Sequence, residues 1–375
     1  MQVSVNDRMR ERRGHKDRVG RLVLWGSLVF AFASCTEREE TRTPAASVRD
    51  SVGIRVIDFS VPAISDALVV SSAEMVEIAG CEDDPIGNAR DLIFWGEDRI
   101  VLADNDFSLR VYNFAGERVE QFGGRGEGPG EFRDILLLSS SPSGELAVVD
   151  PLRLQLSVFD EQGAFQRSVS LFPGPDGLLI DPRAILGTSS VVMVSLPSAR
   201  GVSERNPHGY WGFSSIYIYD EATGVWDSIA SVPITQCGEG YVDRCVPGDS
   251  MFAGMVRTTG ETVVVTPADW PEIQVYDPSG PLLDLIRIGE PPDGGFTLLV
   301  VGQDGVFWVG RVGGDTWMIA DTRSMTLRRI AFPEEFRLRD IGNMKALGLS
   351  VDSLGVQKAV LIRLPDVLSD STRPE

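Results

Sequence analysis

The sequence predicts an all-β fold, a six-bladed β-propeller with about four antiparallel strands per blade, and three observations carry that prediction. Apolar runs of four to seven residues, many of them alternating, recur from Gly53 onward, while a sustained 3.6-residue period is almost absent; this marks strands rather than helices. The 39 glycines and 22 prolines of the 375 residues are spread along the chain and punctuate those runs with turns. The third observation is a repeat. Arg99–Asp104, Leu109–Asn113 and the turn at Gly116 are followed by Glu145–Asp150, Leu156–Asp160 and the turn at Gly163.

Weaker copies continue the rhythm. Ile216–Asp220 leads to Gly224, Thr262–Thr266 and Ile273–Asp277 lead to Gly280, and Gly305–Val309 is followed by Trp317–Asp321. The turn glycines fall 47, 61 and 56 residues apart. A four-stranded unit of that length cannot bury both faces alone, so the copies must stack, and a period near 40 to 50 residues is that of propeller blades. Residues 53–368 hold six such units, seven if one copy is degenerate, and 369–375 form a polar tail. The strand Val356–Leu364 is expected to pair with Gly53–Phe59, closing the ring and removing an exposed edge.

Residues 1–34 read as a signal peptide. Seven Arg/Lys against three Asp/Glu precede or border the uncharged run Leu22–Ala33. Twelve helical residues span only about 18 Å, short of the roughly 30 Å hydrocarbon core, so this is a secretion segment and not a transmembrane anchor. Phe32-Ala33-Ser34-Cys35 resembles the bacterial lipobox, in which cleavage precedes a cysteine that receives lipid. That resemblance makes Cys35 the lipidation site and residues 35–52, polar and poor in large apolar side chains, a flexible tether. The expected location is the exported bacterial cell envelope, facing the periplasm or the cell surface, with membrane contact through the lipid anchor only. An ordinary signal peptide cut nearby is the alternative.

The formal charge of −19 becomes −23 without the leader, with 28 basic and 51 acidic residues remaining. Such a body repels phosphate backbones, and no basic stripe with interleaved aromatics offsets it, which excludes nucleic acid as a partner.

Between the first two units stands Gly123–Phe132, FGGRGEGPGEF with Phe122, five glycines and a proline in ten residues. No Gly-Lys-Ser/Thr follows, and Glu127 and Glu131 oppose a phosphate, so it is not a nucleotide cradle. It suits a tight passage from the outer edge of one blade to the inner strand of the next, with Phe132 packed between blades. Together with ADNDFSLRVYNFAGE before it and VVDPLRLQLSVFDEQG after it, the stretch resembles the NHL-repeat-like six-bladed propellers of bacteria, through Asp104, Arg110, Val111, Gly116, Gly126, Gly130 and Phe132. The resemblance implies the fold and says little of function, many members of the group being exported or lipid-anchored.

Residues for catalysis are scarce. His15 lies in the leader and His208 alone remains, so neither a histidine metal cluster nor a hydrolase triad can be built. No catalytic residue, metal ligand or cofactor is assigned. Calcium enters only under the alternative of a secreted hydrolase or lactonase using carboxylate ligands, and Asp104 and Asp150 are expected to bond their own turns instead. Cys237 and Cys245 are expected to form a local disulfide, leaving Cys81 unpaired. The candidate binding residues are Tyr210 and Trp211 in the insertion 197–213, Trp270 in the next unit, and Arg125 and Glu127 at the channel. The sequence thus describes a monomeric binding or interaction scaffold for a protein, peptide or carbohydrate.

Overall fold

The computed structural model describes residues 46–59, 67–171, 180–195, 204–206, 209–237, 255–259, 261–267, 271–289, 298–302, 305–310, 315–342 and 344–365; of 180–181, 195, 204–206, 209–214 and 233–237 only the backbone is described. The leader, Cys35, Cys245 and Trp270 lie outside these residues.

Four strands precede the first blade: β1 (Ala46–Ser51), β2 (Ile54–Phe59), β3 (Leu68–Val69) and β4 (Met75–Ala79). Blade 1 is β5 (Asp91–Trp95), β6 (Arg99–Ala103), β7 (Ser108–Asn113) and β8 (Arg118–Gly123). Blade 2 is β9 (Leu137–Ser140), β10 (Leu146–Asp150), β11 (Gln155–Phe159) and β12 (Phe165–Ser170). Blade 3 contains β13 (Ile180–Leu186), β14 (Ser190–Ser195), β15 (Glu204–Asn206), β16 (Gly209–Asp220) and β17 (Val225–Cys237). Blade 4 is β18 (Met255–Thr258), β19 (Val263–Thr266), β20 (Glu272–Tyr276) and β21 (Leu282–Ile288). Blade 5 is β22 (Leu298–Val301), β23 (Val306–Gly310), β24 (Thr316–Asp321) and β25 (Thr326–Ala331), with β3 added in parallel. Blade 6 is β26 (Phe336–Gly342), β27 (Lys345–Val351) and β28 (Gln357–Arg363), completed by β4. The innermost strands β5, β9, β13, β18, β22 and β26 neighbour one another in a closed ring of six.

The second and third strands of a blade read as unbroken apolar runs because each of their two faces meets a different neighbour. In β6, Ile100 and Leu102 enter the cluster shared with blade 6, while Val101 and Ala103 enter the cluster shared with blade 2. In β10, Leu146 and Val148 face blade 1, and Ala147 and Val149 face blade 3. Six apolar clusters result, one at each junction of consecutive blades. The outermost strands β8 and β12 alternate between more and less exposed residues, as an edge with one solvated face requires.

Ring closure differs from the sequence expectation. The strand that completes blade 6 is β4, antiparallel to β28 with Met75 opposite Ile362, and not Gly53–Phe59. Chain connectivity supplies the reason: the outermost strand of a closing blade must lead into the innermost strand of the next, and β4 ends just ahead of β5. The earlier strand β2 instead lies parallel to β21 on the outside of blade 4, where Ile57 and Phe59 join the cluster between blades 4 and 5. Its hairpin partner β1 begins at Ala46, inside the segment expected to be tether.

The glycine stretch is the connection from β8 to β9. Gly126 N–H donates to the Phe132 carbonyl and Phe132 N–H to the Gly124 carbonyl, 3.0 and 2.9 Å, folding the stretch back on itself. Phe132 is fully buried among Trp95, Leu109, Leu146 and Phe159, between blades 1 and 2 as expected. Gly130 holds φ at 76°, a left-handed value that a side chain resists, and a Cβ there would stand 3.3 Å from the Phe159 ring.

Candidate functional site

The inner strands of all six blades enclose a channel of about 1010 Å³. They splay apart around it, so backbone pairing cannot join one to the next, and side chains bridge them instead. Asp340 on β26 accepts the Phe94 N–H of β5 at 2.8 Å, and Asp91 on β5 accepts the Leu138 N–H of β9 at 2.8 Å. Ser140 Oγ donates back to the Phe94 carbonyl at 3.0 Å, and Thr258 Oγ1 of β18 donates to the Ile185 carbonyl of β13 at 2.5 Å.

Around these bridges the channel wall gathers charge. Among the described residues, Arg90, Arg183, Arg257 and Arg339 line it together with Asp91 and Asp340. They come from blades 1, 3, 4 and 6. Arg90 lies 3.4 Å from Asp134, and Arg257 donates its Nη1 to the Val256 carbonyl at 2.9 Å. The other oxygens of the two aspartates accept the Leu92 and Ile341 N–H groups, so both carboxylates are engaged by backbone amides.

The electrostatics follow from this crowding. Burial pushes the Asp340 carboxyl up to about 7, against the pull of the Phe94 and Ile341 amides, and the charge of Asp91 adds to the rise. Asp91 is likewise raised by burial, opposed by its two amide bonds and by Arg339 and Arg257. Arg257 is lowered, first by burial and then by Arg339 and Arg183, with Asp91 and Asp340 opposing. These groups therefore feel one another across the lumen. Apolar side chains share the wall, among them Phe94 and the exposed Leu136, while Trp317 reaches it only from the buried cluster between blades 5 and 6.

The sequence candidates fall elsewhere. Arg125 stands outside the channel lining, its guanidinium 5.8 Å from the Phe107 ring, and Glu127 pairs with Arg133. Tyr210 and Trp211 are part of β16, in register with Cys237 of β17 and Glu204 of β15 respectively, so Gly209–Phe213 of the expected loop belong to a strand. Their side chains, and that of Cys237, lie outside the described part, as do Cys245 and Trp270; the disulfide falls there too. Cys81 is a free, exposed thiol. Asp104 does more than close its own turn: besides Asn105 N–H it accepts Gly87 and Asn88 N–H from the connection entering blade 1 and lies 3.2 Å from Arg110. Asp150 repeats this, accepting Arg133 N–H from the glycine joint and Leu152 and Arg153 N–H from its turn.

Sequence reasoning missed the channel cluster, although a signal was present. An arginine stands in or directly before the innermost strand of four blades, followed at once by aspartate in Arg90-Asp91 and Arg339-Asp340. Among the described residues no group of three or more His, Cys, Asp or Glu is placed to hold a metal ion.

Comparison with known proteins agrees with the fold. A member of the duf4221 family from Bacteroides vulgatus superimposes with a TM-score of 0.51 at 9% identity, over 77% of this chain and 95% of that one. A Bacteroides fragilis protein described as exported gives 0.48 at 11%, over 83% and 99%, and virginiamycin B lyase from Staphylococcus aureus gives 0.44 at 9%, over 77% and 98%. At 9% identity the first of these likenesses is one of fold alone. No protein-family model matches the chain, and no curated protein does.

Proposed function

We propose that this protein is an exported, lipid-anchored β-propeller that acts as a binding scaffold and seats its ligand in the central channel. The observation that carries the reading is the channel wall itself, where charged and apolar side chains from several blades converge on one lumen. Concave sites on which a few polar groups converge are where proteins hold small ligands. Export and anchoring rest on the basic leader and the Ala33-Ser34-Cys35 sequence. A Cys35→Ser protein that still carries lipid would sink the anchor.

The hydrolase alternative asks for a carboxylate-held divalent ion. The described channel residues offer two carboxylates, both already engaged by amides. The deciding experiment is a thermal-shift survey of small molecules of either charge and none, run on the wild type and on Leu136→Trp, which narrows the lumen. A ligand present at 100 times its Kd stabilises by about 2.7 kcal/mol. The expected outcome is stabilisation of the wild type that Leu136→Trp loses; equal shifts in both proteins would place binding elsewhere.

A further inference from the structure

The body of this protein is strongly acidic, yet the channel wall reverses the sign. Among the described lining residues four arginines stand against two aspartates. The aspartates are used as staples between blades, each oxygen holding a backbone amide, and Arg90 has Asp134 beside it. Among the described residues neither Arg257 nor Arg339 forms an ion pair, and Arg257 spends one nitrogen on the Val256 carbonyl. Arg183 and Arg339 add positive field at Arg257, against the opposing charge of Asp91 and Asp340, and an anion brought to Arg257 and Arg339 would lower the repulsion between those two. A planar guanidinium presents a fork of donors that matches a carboxylate bidentately.

We propose that the channel binds a small organic acid, its carboxylate held by Arg257 and Arg339 with Arg183 adding field, and its apolar body against Phe94 and Leu136. This rests on the reading of the channel as the ligand site. A carboxylate with an apolar body fits better than a bare inorganic anion because the wall interleaves these apolar side chains with the arginines. The acidic exterior makes the selection sharper: an anion gains nothing from the outer surface and everything from the lumen.

The test is isothermal titration of the full exported domain with benzoate, its neutral isostere benzamide, and inorganic phosphate, at low ionic strength where exposed charge is least screened. Arg339→Gln is the principal variant because the Arg339 side chain is exposed to the lumen and its loss leaves packing intact. Arg257→Gln and Leu136→Trp accompany it. Benzoate is expected to bind with Kd below about 1 mM, at least tenfold more tightly than benzamide, to weaken at least tenfold in Arg339→Gln, and to be lost in Leu136→Trp. Benzamide binding as well as benzoate, phosphate binding better than benzoate, or an unchanged benzoate affinity in Arg339→Gln would overturn the assignment. The two readings separate cleanly. Neutral or cationic compounds that stabilise the wild type but not Leu136→Trp leave the channel as the ligand site while removing the organic acid, and absence of any ligand removes both.

Discussion

Asp340 sets two amide hydrogen bonds, each 2.8 Å, against burial and the charge of Asp91, and burial wins, leaving its carboxyl near 7. An unfolded aspartate has a pKa of about 3.9. Between about pH 4 and 7 the folded protein therefore keeps a proton that the unfolded chain has released, so Asp340 subtracts stability as pH rises through that window. Asp340→Asn carries no charge but offers one acceptor oxygen to the two amides, so it loses one hydrogen bond at every pH. Its stability relative to the wild type is expected to be about 1 to 3 kcal/mol more favourable at pH 8 than at pH 5, at about 1.4 kcal/mol per unit. Urea unfolding at the two pH values measures this, and a difference that does not change with pH would show an ordinary carboxyl. Asp104 is the opposite case, a buried carboxylate fully used by Gly87, Asn88 and Asn105 amides and by Arg110. Asp104→Ala leaves those three amide donors unpartnered and takes one of its carboxylate partners from Arg110, which keeps Asp106 and Asp84, and a loss of about 3 to 5 kcal/mol in denaturant unfolding is expected.

Among the elements, the connections between blades show which features of the fold a sequence displays. The turns at Gly163 and its counterparts were legible because each needs a left-handed glycine after an Asp or Asn that caps its own turn; Asp160 Oδ1 accepts Gln162 and Ala164 N–H, and a Cβ at Gly163 would meet the Phe122 ring at 2.8 Å. The joint ending in Phe132 was legible for the same reason, being local. Phe132→Ala empties the centre of the cluster between blades 1 and 2 and is expected to cost about 3 to 5 kcal/mol, read from the shift in urea midpoint at unchanged slope. The channel cluster was not legible. Asp91, Arg183, Arg257 and Asp340 are spread over most of the chain, and only closure of the ring brings them to one lumen. The elongation of β16 and β17 was hidden by Pro197–Phe213, whose glycines and prolines read as loop although Gly209–Phe213 extend the strand.

For the whole molecule the decisive feature is that blade 6 borrows its last strand from the start of the fold. β4 covers the edge of β28, and its Ile78 and Ala79 enter the cluster with Leu92, Leu347 and Leu361 that seals blade 6 to blade 1. The β1–β2 hairpin contributes differently: Ile57 and Phe59 widen the cluster between blades 4 and 5, but β2 lies outside the ring. Two truncations separate the roles. A chain beginning at residue 60 keeps β4 and is expected to remain a monomeric propeller that unfolds cooperatively at a lower Tm. A chain beginning at residue 81 loses β4, leaves β28 as an open edge and uncovers apolar side chains at one blade junction, and such edges invite intermolecular pairing. It is expected to self-associate and to lose its single transition. Size-exclusion chromatography with light scattering and thermal unfolding decide the matter, since the reverse ranking would assign closure to β2. The same comparison bears on the channel: with the ring opened, Asp340 no longer meets Phe94 N–H, the arginines of blades 3, 4 and 6 lose their common enclosure, and binding should disappear in the shorter chain while persisting in the longer one.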